Sequence, residues 1–67
     1  MSVADAQRER LLSDRKSFEQ LRQTAIDELN KPGLSDREKQ VYQGSVAQYN
    51  RMIQDINKRL DQLNTAR

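Results

Sequence analysis

The stretch NKPGLSDRE, Asn30 to Glu38, decides how this chain is built. Pro32 disfavours helical geometry at Lys31, and the Pro-Gly pair suits a type II turn, whose positive φ Gly33 supplies without steric cost. A helix arriving from the amino-terminal side therefore stops near Asn30. A second helix starts at once. Ser35, with Glu38 three residues on, reads as a capping box in which the Ser35 hydroxyl accepts from the Glu38 amide and the Glu38 carboxylate accepts from the Ser35 amide. Asp36 adds negative charge to the same first turn, where it complements the helix dipole.

Outward from the turn towards the carboxy terminus, Tyr42, Val46, Tyr49, Ile53, Ile56, Leu60 and Leu63 recur at alternating spacings of four and three. An α-helix carries all of them along one narrow seam. In heptad terms Val46, Ile53 and Leu60 fill one core position, and Tyr42, Tyr49, Ile56 and Leu63 fill the other. The two tyrosine hydroxyls call for water or a polar neighbour, so the seam is only partly dry near the turn.

Outward in the other direction, the first helix begins after Ser2 with Asp5 in its first turn, and Ala4, Leu11, Phe18, Leu21, Ala25 and Leu29 share one side. That stripe is flawed: Arg15 and Arg22 fall inside it or at its edge, Asp14 flanks it, and Leu12 and Ile26 lie off to one side. The predicted boundaries are a first helix over about 3–30, a turn over 31–35 and a second helix over about 36–65. So short a linker forces the helices to run antiparallel as neighbours. The predicted fold class is therefore all-α: a single-domain helical hairpin spanning 1–67, completed to a bundle by dimerisation or by a partner.

Closing the hairpin about its turn sets Ala25 against Tyr42, Phe18 against Tyr49, Leu11 against Ile56 and Ala4 against Leu63. The interleaved layers then place Asp14 near Ile53 and Gln7 near Leu60, leaving those two apolar side chains without an apolar partner. Burying each fully is worth roughly 1.5 to 3 kcal/mol, so an intermolecular partner is expected. That partner is a second hairpin, a helical protein, or both. The residues expected to form the interface are Leu11, Phe18, Tyr42, Val46, Tyr49, Ile53, Ile56, Leu60 and Leu63.

Composition excludes most chemistry. The chain has 67 residues, 33% of them charged and 34% hydrophobic, with no Cys, no His, one Pro and two Gly. This length is near the lower limit for a core without disulfides, metal or partners. Without His or Cys the usual base–nucleophile pairs cannot be assembled, so the chain is read as a non-enzyme. Asp27 with Glu28, Asp36 with Glu38, and Asp55 with Asp61 lie on polar surface or helix ends, where solvation and capping account for them. No cofactor or metal is expected. The amino terminus lacks a basic region followed by an apolar run, and no stretch approaches the roughly 20 apolar residues of a membrane span. The missing disulfides point to the cytoplasm.

The net charge of +2 comes from twelve basic and ten acidic residues interspersed along the chain, which argues against a nucleic-acid partner. One ridge stands out: Arg8, Arg15 and Arg22, spaced seven apart. Its guanidinium groups suit phosphates or an acidic partner. The competing reading has their stems covering the seam and their heads paired with Glu19, Asp14, Asp55 or Asp61. The interleaved acids Asp5, Glu9, Asp14 and Glu19 favour the second. Gly44, mid-helix and away from the seam, marks either a close approach by another helix at Gly44 and Ala47 or a tolerated surface glycine.

The function these features imply is that of a non-enzymatic helical protein–protein interaction module, an adaptor, small chaperone, assembly factor or inhibitor, acting through the seam of the second helix. An alternative comes from size and architecture. In these the chain resembles the Rop family of plasmid RNA-binding dimers, two helices joined by a tight turn. That resemblance implies a dimeric RNA-binding hairpin. It rests on shape and on no motif, and Rop-like chains set basic residues around an exposed aromatic, whereas Phe18 here falls on the inward stripe.

Overall fold

A computed structural model describes residues 2–65 and contains two helices, α1 (Val3–Leu29) and α2 (Asp36–Thr65), packed side by side as an antiparallel hairpin. Both start as their sequences dictate. Ser2 sits in extended geometry with φ −79° and ψ 161°, and its hydroxyl accepts from the Asp5 amide at 3.1 Å. At α2 the capping box closes reciprocally: the Glu38 amide donates to the Ser35 hydroxyl at 3.1 Å, and the Ser35 amide donates to the Glu38 carboxylate at 3.3 Å.

The first helix stops where proline requires. The Asn30 amide still reaches Ile26 O at 3.1 Å and the Lys31 amide reaches Glu28 O at 3.2 Å, after which Gly33 adopts φ +82° and turns the chain. The Lys31 ammonium donates to the Glu28 carboxylate at 2.7 Å across the end of α1, which holds the lysine above its ordinary value. A raised lysine contributes at neutral pH and loses that contribution as pH rises beyond the ordinary lysine range.

The hairpin measures 51 × 16 × 12 Å, a single layer of helices. Its core is Ala25, Ile53, Ile56 and Leu60, each between 6% and 8% exposed. Phe18 meets Tyr49 with ring centroids 6.2 Å apart and planes tilted by 33°, so the expected register holds at the centre of the hairpin.

One expectation is overturned. Ile53 and Leu60 do not lack cover: each is 8% exposed within the single chain. The argument that α2 carries a surplus requiring a partner therefore fails at these two residues. Within the chain a Cβ built at Gly44 meets nothing within 4 Å, so no close approach inside this hairpin accounts for the glycine.

The two glycines therefore respond to alanine in opposite directions. Gly44→Ala removes a flexible residue from an uncrowded helix and should raise stability by about 0.5–1 kcal/mol. Gly33→Ala forces a side chain into the left-handed region and should lower it by about 1–2 kcal/mol. Urea unfolding followed by circular dichroism reads both, and the same sign at the two positions would contradict this account of the turn.

Candidate interaction surface

The seam that holds Ile53 and Leu60 is crossed by a ladder of hydrogen bonds between the helices. Arg22 Nη1 donates to Asn50 Oδ1 at 2.8 Å, Arg15 Nη1 to Asn57 Oδ1 at 2.7 Å, and Arg8 Nη2 to Asn64 Oδ1 at 3.4 Å. Each step of seven down α1 is matched by a step of seven up α2, so the three rungs repeat one geometry. The arginines recur at the α1 position that alternates with Leu11, Phe18 and Ala25. In an antiparallel pair this sets Arg15 opposite Ile53, Arg8 opposite Leu60 and Arg22 opposite Val46. Arg8, Leu12 and Arg15 indeed line one groove with Asn57, Leu60 and Asn64. An arginine whose head reaches an asparagine on the other helix must carry its aliphatic stem across the seam, alongside the branched side chains of that layer.

Asp14 and Gln7, expected to face Ile53 and Leu60, stand instead on the opposite flank, in a groove of about 620 Å³ with Arg10, Leu11, Arg59, Gln62 and Leu63. The arginine heads also depart from expectation. Of the four acids named as their partners only Glu19 is used, its Oε1 lying 3.5 Å from Arg15 Nε, and Arg8 adds Asp5 at 3.2 Å. The main partners are three asparagines that the sequence reading passed over. Their signal was present: Asn50, Asn57 and Asn64 share the spacing of the arginines they meet.

The ladder divides the hairpin into two unlike broad faces. On one, Arg8, Arg15 and Arg22 bridge to the asparagines across the seam. Leu12, 41% exposed, is set among these polar groups. The other face carries the column of Leu11 and Phe18 on α1 and of Tyr49 and Leu63 on α2, all half-buried. Leu21, 46% exposed, and half-buried Met52 flank its centre. Tyr42 and Val46 are half-buried nearer the turn, whereas Ile53, Ile56 and Leu60 are already enclosed. The sequence-derived interface set thus splits into an internal part and a part that remains accessible.

Among the described residues no cluster of acidic side chains is arranged as metal ligands would be, and no helix is long and apolar enough to cross a membrane. No protein-family model, curated protein or solved structure matches this chain.

Cover by arginine stems predicts an order among substitutions. Arg15→Met keeps the stem but loses the Asn57 hydrogen bond and the exposed Glu19 pair, so it should cost little more than Asn57→Ala, each lowering stability by about 0.5–1.5 kcal/mol. Arg15→Ala also uncovers Ile53 and should cost about 1–2 kcal/mol more. Urea unfolding of the three variants checks the order, and an Arg15→Met variant as unstable as Arg15→Ala would show that the stem contributes nothing.

Proposed function

We propose that the chain is a non-enzymatic helical interaction module that packs its Phe18–Tyr49 face onto a helical layer of protein. The observation that carries this reading is the inequality of the two broad faces. One is spanned by charged heads and amides; the other keeps half-buried aromatic and aliphatic side chains in a continuous column with Leu21 exposed beside it. Adjacent apolar groups on one side of a thin helical hairpin gain free energy when a second layer removes them from water. Their heptad spacing suits knobs from another helix. Adaptors, assembly factors, small chaperones and inhibitors can all work through such a contact.

Ile53 and Leu60 are covered within the single chain, so it is the accessible face that favours a partner. The same ladder bears on the nucleic-acid alternative. Arg8, Arg15 and Arg22 have their heads turned to asparagines across the hairpin, which supports a structural role for the ridge and leaves an RNA contact without an observation in its favour.

A photoreactive amino acid placed at Leu21 or at Leu12 tests the reading in cells producing the chain. Irradiation should give discrete protein adducts from position 21 and few from position 12, on the face bridged by arginines. Equal adduct yields from both faces, or none from either, would refute a one-sided interaction surface.

A further inference from the structure

We draw no further inference here: the strongest candidate, the half-buried Phe18–Tyr49 face with the groove of Arg10, Leu11, Arg59 and Leu63 at its terminal end, carries nothing, because charges of both signs stand at either end of it and nothing in the structure shows what covers it.

Discussion

Everything in this hairpin depends on three arginine side chains lying across a seam in which an aliphatic residue would be the ordinary choice. Opposite Val46, Ile53 and Leu60, α1 offers Arg22, Arg15 and Arg8. A guanidinium cannot be left inside an apolar layer without heavy desolvation cost, yet its stem is as long and apolar as most aliphatic side chains. The solution is to lay the stem over the branched residue and anchor the head at the edge, where an asparagine oxygen accepts at 2.7 Å from Arg15 and at 2.8 Å from Arg22. Arg8 and Arg15 keep 37% and 35% of their side chains exposed, so hydration is only partly surrendered. An amide as acceptor avoids bringing a second charge out of water.

The ladder also gives the molecule its sidedness. Three rungs along one edge fill that side with polar groups and keep it wetted, while the alternate core column, with Phe18 against Tyr49 at its centre, opens to the other side. A hairpin with aliphatic residues at all six heptad positions would bury its seam more evenly and present two similar flanks. Here the asymmetry between flanks directs any further layer to one of them, and the proposed functional surface and the internal fastening are two results of the same substitution of arginine for leucine or isoleucine.

Much of this was legible in the sequence. The turn and the capping box of α2 were readable because Pro32, Gly33 and the Ser35–Glu38 pair act through local geometry alone. Phe18 against Tyr49 was readable because one closure rule suffices for that column. The adjoining column was misread for a physical reason. Heptad positions alternate by four and three, so the interleaved layers are displaced by one residue from the rule that fits their neighbours, and Asp14 and Gln7 were set where Arg15 and Arg8 stand. Counting arginine as a polar flaw in the stripe compounded the error, since a wheel registers the head and ignores the stem. The asparagines escaped notice because an amide carries no charge to pair on paper.

The chemical identity of the ladder has one more consequence. A carboxamide has no proton to gain or lose, so the accepting half of each rung is chemically the same in acid as at neutral pH. A strap of arginine on aspartate would slacken in acid as its carboxylate was neutralised. Here the bonds that cross between the helices end on amides, and the carboxylates of Asp5 and Glu19 meet the same arginines only from within α1.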